Sequence, residues 1–477
     1  MAEYRLTVGL EVHAELKTKT KMFCACLNNA DEKVPNKNIC PVCMAHPGTL
    51  PVINREAVHK VLLVGAAVGG TLADFTEFDR KNYFYPDIPK GYQISQYKYP
   101  LVSGGNLAGV ELTRIHLEED TARSQHSGDK SLVDYNRAGV PLMELVTEPV
   151  IHDAATAGRF AKELQLLLRT LGAGEANMEK GEMRVEANIS IAPASDAIEI
   201  NQKDHKPVLG TKVEVKNLNS FRSVERAIAY EFTRQSKLLD KGEKVAQETR
   251  GWDEAKQETF SQRKKESSHD YRYFPDPDLP KLKISEIAEF SVENLKKELP
   301  ELPWVARERY IAEGINPEYA EMFVSDLRYA GLFEGASRAA PEAKKLLSNY
   351  LGSDIVGLES KFGSEGLLNI TVEGLSAIVA ASMRGEISSR GVKESLAEVY
   401  EKGGDLVQVS KKYAQQSDAG ALTEIAKKVI DANPSVAADY KAGKEAAMQF
   451  LVGQGMKESK GSANPAALRE ALQKALL

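Results

Sequence analysis

VGLEVHAELKTKTKMFCACLNNADEKVPNKNICPVC, residues 8–43, joins two patterns that together decide how the chain is read. In its first nine residues Val8, Leu10, Val12, Ala14 and Leu16 alternate with Glu11, His13 and Glu15. A period of two turns one set of side chains into a core and the other onto the opposite face of a strand. That second face carries two carboxylates and an imidazole, a donor set suited to a hard cation. Directly after it come four cysteines, spaced Cys24-x-Cys26 and Cys40-x-x-Cys43, which are the chain's whole complement.

No signal peptide and no apolar run of membrane length is read in the 477 residues, so the expected setting is the reducing cytoplasm, away from membranes. There, two close cysteine pairs separated by thirteen residues read as four thiolates around Zn2+, each at about 2.3 Å, rather than as two disulfides. With all four positions filled by sulfur the metal would be structural. Cys40-Pro-Val-Cys43 is a good knuckle, whereas Cys24-Ala-Cys26 is tighter than the usual gap. The alternative is four reduced, buried cysteines.

The length suggests two or three domains, and 42% hydrophobic with 27% charged residues describes an ordinary globular protein. A net charge of −6 argues against a uniformly basic nucleic-acid binder. The charge is uneven: residues 401–477 hold eleven Lys and Arg against nine Asp and Glu, a net of +2, which leaves −8 on the rest. The C-terminus is thus the part turned toward phosphates.

The texture changes once, near residue 290. Before it, alternating runs such as Arg114–Glu118, Arg184–Ile191 and Lys212–Lys216 read as strands, with helices at Ala154–Leu171 and Ser220–Leu239. After Pro300 the pattern is helical almost to the end. The fold class is therefore α+β: an antiparallel-sheet domain over residues 1–292, an all-α helical domain over 293–405 and a small helical tail over 406–477.

The strands share a habit. Arg114, His116 and Glu118, then Glu182, Arg184, Glu186, Asn188 and Ser190, then Lys212, Glu214 and Lys216, all alternate with apolar residues. For any one strand a solvent-washed outer face explains this. If several such faces line one concavity, carboxylates can hold Mg2+ while Arg and Lys grip phosphates. No Gly-x4-Gly-Lys-[Ser/Thr] loop exists; Gly128-Asp-Lys-Ser131 lacks the first glycine. Neither is there a Gly-x-Ser-x-Gly elbow, and Ser127-Gly-Asp-Lys130 matches Ser-x-x-Lys only by coincidence. With every cysteine in the candidate zinc set, the chain alone has no evident means of cleaving an amide.

The runs Val8–His13, Phe78–Asp87 (FDRKNYFYPD), Gly91–Gln96 (GYQISQ), His116–Asp120 (HLEED), Asn136–Pro141 (NRAGVP), Lys216–Phe221 (KNLNSF), Asp270–Asp276 (DYRYFPD) and Phe450–Gln454 (FLVGQ) resemble, in this order, the B subunit of the aspartyl/glutamyl-tRNA(Asn/Gln) amidotransferase. The resemblance covers essentially the whole chain. It implies a ligase subunit in a heterotrimer with an amidase (A) subunit and a small C subunit. That subunit uses ATP and Mg2+ to phosphorylate the side-chain carboxylate of Glu misacylated onto tRNA(Gln), or Asp on tRNA(Asn), and ammonia from the A subunit then displaces phosphate. It also implies that the first domain is a catalytic cradle binding the acceptor end and that the tail touches tRNA. Carried to this sequence, the Mg2+ ligands are Glu11, His13, Glu118 and Glu119, with Glu148 as a further one.

A carboxylate must become an acyl phosphate before ammonia can attack it, and cationic donors hold the transferred group in line. The candidates here are Arg184 and Lys216 in the catalytic set and Arg80 and Lys81 for the nucleotide, with Asn217 and Asn219 positioning it. A non-catalytic subunit that only grips tRNA is the alternative, although acidic Glu11, Glu118 and Glu119 make a poor surface for a polyanion unless a cation intervenes.

Tyr83–Tyr85 and Tyr271–Phe274 could stack on a terminal adenine or pack a core. In the tail, Lys441, Lys444, Lys457, Lys460 and Arg469 suit phosphate contacts. Against the family pattern, Met183-Arg-Val-Glu186 carries Glu for the usual Asp, Ala192 replaces a common Arg, and Glu118–Arg123 loses a glycine but keeps a positive charge.

Overall fold

A computed structural model describes residues 3–194, 209–264, 271–413, 419–459, 461 and 463–477. Asp270 of the Asp270–Asp276 run and Lys460 of the tail lie outside them. The chain divides into two compact units, Met1–Pro303 and Trp304–Leu477.

The first unit is built on the alternating strand read above, β1 (Tyr4–Glu15). The other elements that shape the site are α1 (Arg55–Ala67), β2 (Asp79–Asn82), β3 (Tyr92–Ser95), β4 (Val110–Glu119), β5 (Pro141–Thr147), α2 (Ala154–Thr170), β6 (Met183–Pro193), β7 (Val213–Leu218), α3 (Phe221–Asp240), β8 (Glu248–Asp253) and β9 (Glu258–Lys264). In the main sheet the order is β9-β8-β7-β6-β1-β5-β4, extended past β4 by the two-residue strands 102–103 and 71–72. All neighbours are antiparallel except β7 and β8. That parallel pair departs from the all-antiparallel expectation for a simple reason. β7 and β8 are joined through the twenty-residue α3, and a parallel pair needs such a crossover.

Register fixes what each face carries. Val12 pairs with Leu145 and Val185, Ala14 with Met143 and Met183, and Ile115 with Leu145 and Val102. These side chains are fully buried and form the apolar face. Helix α1 closes on this face at Gly65, where an added Cβ would lie 2.4 Å from a Val102 methyl. Helices α2 and α3 start on side-chain caps, Asp153 accepting from Thr156 N and Ser220 from Ser223 N, and they pack on each other. Such caps each contribute about 1 kcal/mol. The short helix 292–298 also belongs to this unit, because it packs on α1, with Glu298 2.9 Å from His59.

The opposite face is polar, and its middle is not open to solvent: His116 and Glu118 are each about 3% exposed or less. The β2–β3 hairpin, joined by Phe274–Pro275, lies against that part of β4, with Ser95 Oγ donating to Glu118 and Gln93 to the Glu119 carbonyl.

The second unit is helical throughout its described residues and holds two hydrophobic cores, one of residues between Tyr310 and Val409 and one between Leu422 and Leu476. Among the described residues no helix is long and apolar enough to cross a membrane.

Candidate active site and cysteine cluster

Direct cross-strand partners on the polar face bring the ionisable groups into two adjoining sets. On β5 Glu144 sits opposite both His13 of β1 and His116 of β4. Its Oε2 lies 3.4 Å from His13 Nε2 and 3.2 Å from His116 Nε2, while Glu118 Oε1 is 3.8 Å from His13 Nε2. Burial opposes charge on His13, but its hydrogen bond to Glu144 and the charges of Glu144, Glu118 and Glu186 outweigh it, so the imidazole pKa rises to about 9. Burial likewise opposes ionisation of Glu144, and His116 and His13 overcome it, holding the carboxyl well below its ordinary value.

The second set lies toward the other side of β1. Glu11 pairs with Glu186 on β6, and Glu214 of β7 stands beside them, the three ligand oxygens all within 4.8 Å of one another. Lys216 Nζ reaches Glu186 at 2.8 Å and Glu214 at 3.5 Å, and Asn188 Nδ2 donates to Glu11 at 2.8 Å. Burial opposes the charge on Lys216, and Glu186 and Glu214 more than offset it, so its pKa is raised. Asn188 Oδ1, on the same side chain, is buried without a partner. An oxygen-rich triad with an orphaned carbonyl oxygen beside it fits a hard divalent cation such as Mg2+, and so does the His13–Glu118–Glu144 set.

The remaining sequence candidates fall in different places. Glu119 is one residue from Glu118 and turns away from both sets, accepting from Lys90 Nζ at 2.8 Å and from Ile94 N at 3.0 Å. Glu148 follows the irregularity at the end of β5 and accepts from Thr113 Oγ1. Arg184 is paired with Asp120 at 2.9 Å. Neighbours in β2 diverge: Arg80 is clamped by Asp276 and Asp278, both at 2.8 Å, whereas Lys81 has no such clamp and sits over the Tyr271 ring at 5.1 Å. Burial opposes the Lys81 charge, and Glu118, Tyr273 and Glu144 prevail, raising its pKa. Asn217 and Asn219 are exposed; Asn217 has φ +64° at a two-against-one irregularity between β6 and β7, a backbone state Asn tolerates well.

Glu144, Glu186 and Glu214 complete the two sets, and the sequence reading did not select them as ligands. Glu186 and Glu214 were visible as polar-face residues. Glu144 is a single acid inside the apolar run Pro141–Thr147, and that isolation was its only signal.

The four cysteines gather at one point, their sulfurs all within 4.8 Å of one another. Cys40 N donates to Cys43 Sγ at 3.1 Å, a knuckle contact that favours a thiolate. A hydrogen bond from Cys24, helped by the Cys40 amide and by Lys21, brings Cys43 down to about 5 against the effect of burial. Burial pushes Cys26 up to about 12, and the bond to Cys43 pushes Cys24 far up. One thiolate stabilised by neighbouring thiols, in a tetrahedral-sized cluster of soft donors, fits Zn2+. A cavity of about 220 Å3 lies between this cluster and Glu119, lined by Cys24, Cys43, His46, Lys90 and Gly139 among others.

Residues 6–289 match the GatB/GatE catalytic domain and residues 331–476 the GatB domain. The B subunit of the aspartyl/glutamyl-tRNA(Asn/Gln) amidotransferase of Dehalococcoides mccartyi is 41% identical over 502 aligned residues, spanning 100% of this chain and 99% of its own. The protein of the same name from Herpetosiphon aurantiacus is 43% identical over 490, spanning 99% and 98%. That from Persephonella marina is 40% identical over 487, spanning 99% and 100%.

Proposed function

Because the chain belongs to the GatB family, we propose that it is the B subunit of a tRNA-dependent amidotransferase and that its polar sheet face activates the side-chain carboxylate of Glu-tRNA(Gln), Asp-tRNA(Asn) or both. The chain is then a ligase subunit that works with an amidase A subunit and a small C subunit in the cytoplasm. The observation that carries the catalytic reading is the pairing of two acidic sets with adjacent cations on one partly buried face.

In this reading the carboxylate oxygen of the misacylated residue attacks the γ-phosphorus of ATP, ADP leaves, and ammonia displaces phosphate from the acyl phosphate. Glu11, Glu186 and Glu214, and on the other side Glu118, Glu144 and His13 once it has given up its proton, would hold Mg2+. When bound, Mg2+ neutralises charge on the phosphate oxygens. Lys216 and Lys81 each flank one set, and both stay protonated, which suits them to the charge of the transferring phosphoryl. Arg184 holds the buried Asp120 in place. Its own charge is fixed by that pair. Burial of the face beneath β2 and β3 keeps water from competing with ammonia.

Cys24, Cys26, Cys40 and Cys43 hold a structural Zn2+, supported by their convergence. One zinc per chain in a metal assay of the purified protein is the expected result, and its absence would remove this site. For the catalytic reading, the test is ATP hydrolysis by the reconstituted three-subunit complex with and without Glu-tRNA(Gln). Hydrolysis that depends on the charged tRNA and is lost in Glu186→Ala supports it. Hydrolysis untouched by the substitution leaves the chain as a tRNA grip alone.

A further inference from the structure

Among the described residues Lys21 is the only lysine in the buried class, 1% exposed, and ranks with the largest fully buried side chains. Its Nζ donates to one neutral acceptor, the Tyr135 carbonyl, at 3.1 Å. Among the described residues no carboxylate forms an ion pair with it. A buried ammonium without a counter-charge is strongly unfavourable. Something close by therefore carries negative charge.

Two groups lie near enough. The first is Glu119, across Gly139, but its two oxygens already accept from Lys90 and Ile94 N. The second is the cysteine cluster. Lys21 N donates to the Cys26 carbonyl at 2.9 Å, which ties its backbone to the first knuckle. A Cβ placed on Gly139 would lie 3.5 Å from Lys21 Cδ and 3.8 Å from Cys43 Cβ, so only a glycine separates the two side chains. The metal-free cluster offers at most the one Cys43 thiolate, shared with its neighbouring thiols, whereas Zn2+ bound by four thiolates carries a net charge of about −2.

Building on the zinc reading, we propose that Lys21 is the built-in counter-cation of a zinc tetrathiolate at Cys24, Cys26, Cys40 and Cys43, so that ammonium and metal stabilise each other. The buried lysine is then an independent reason to read these cysteines as a negatively charged site rather than as four neutral thiols. It acts through charge, as outer partners of a metal do, and it touches no reacting group.

The experiment compares full-length wild type with Lys21→Met and Lys21→Gln, two neutral replacements of which at least one must fold for the comparison. Zinc affinity is read by competition with a chromophoric chelator, and unfolding temperature is read with and without chelator. Binding ~10- to 100-fold weaker in the neutral variants is expected. Wild type should also lose more thermal stability than either variant on chelation, because only wild type exchanges a dianionic partner of its buried ammonium for at most a single thiolate. Co2+ loading should give the same thiolate charge-transfer bands in all three, showing that the ligands themselves are intact. Equal zinc affinity in all three would overturn the proposal while leaving the zinc site standing. No zinc or Co2+ bound to wild type would remove the site and the proposal together.

Discussion

Two acidic sets share one sheet face and differ in what the protein leaves unsatisfied beside them. Around Glu144 and Glu118 stand His13, His116, Arg114 and Lys81, with Ser95 donating as well. Around Glu11, Glu186 and Glu214 stand Lys216, Asn188 and Thr249, and among the described residues the Asn188 carbonyl oxygen is left over. The first set is electrically satisfied by its own residues. The second leaves a buried carbonyl oxygen without a hydrogen bond beside three clustered carboxylates, and that arrangement calls for a cation from outside. The difference assigns the stronger divalent-cation demand to the Glu11 side.

The largest expected effect tests that assignment directly. Glu186→Ala in the three-subunit complex should slow conversion of Glu-tRNA(Gln) to Gln-tRNA(Gln) by ~10²- to 10³-fold, on the order of 3 to 4 kcal/mol of transition-state stabilisation. Glu144→Ala should also slow it, though less. A greater loss from Glu144→Ala than from Glu186→Ala would reverse the comparison.

A smaller effect follows from the imidazoles. His13 has a folded pKa of about 9 against an ordinary 6.5, so the stability it contributes is complete below about pH 6.5 and drains away as pH rises toward 9. Glu144 is shifted the other way, and its share is present at neutral pH and lost in acid. In cation-free protein the unfolding free energy should therefore fall by on the order of 2 to 3 kcal/mol between pH 6.5 and 9, and His13→Gln should flatten that slope. Added Mg2+ should stabilise more at the alkaline end, because a cation at this set competes with the His13 proton. Among the described residues the Glu11 side has no imidazole to compete. A slope that survives His13→Gln would mean that the two sets do not differ in this way.

Much of this was legible before the structure, and the reason is geometric. Period-two alternation in β1, β4 and β6 put Glu11, His13, Glu118, Arg184 and Glu186 on one face, and strand register then followed from burying the other. Pairing order was not legible, so nothing in the sequence said that β1 would lie between β5 and β6. That placement is what brings Glu144 to His13 and Glu186 to Glu11. Adjacent residues of a strand point to opposite sides, which is why Glu118 and Glu119 part company despite sharing one motif. Arg80 and Lys81 part for the same reason, and only contact with Asp276 and Asp278, nearly two hundred residues on, shows which of them is committed. The cysteines were readable as a cluster from spacing alone; Lys21 was not, since its burial depends on Tyr135 and Gly139 from a distant loop.

The finest test of the comparison lies in Asn188. Its amide nitrogen holds Glu11, and its oxygen is buried with nothing to accept from, an arrangement that is costly unless a cation or its water sits there. Asn188→Ala removes both halves at once. Mg2+ affinity, read by calorimetry on the purified subunit, should fall about tenfold, close to 1.4 kcal/mol, while cation-free stability should change by less than about 1 kcal/mol, because losing the orphaned oxygen offsets losing the bond to Glu11. Asn188→Asp should push the other way, adding a fourth carboxylate that raises cation affinity and destabilises the cation-free protein. If both variants bind Mg2+ like wild type, the leftover oxygen is unrelated to the cation, and the two sets do not differ in their demand for one.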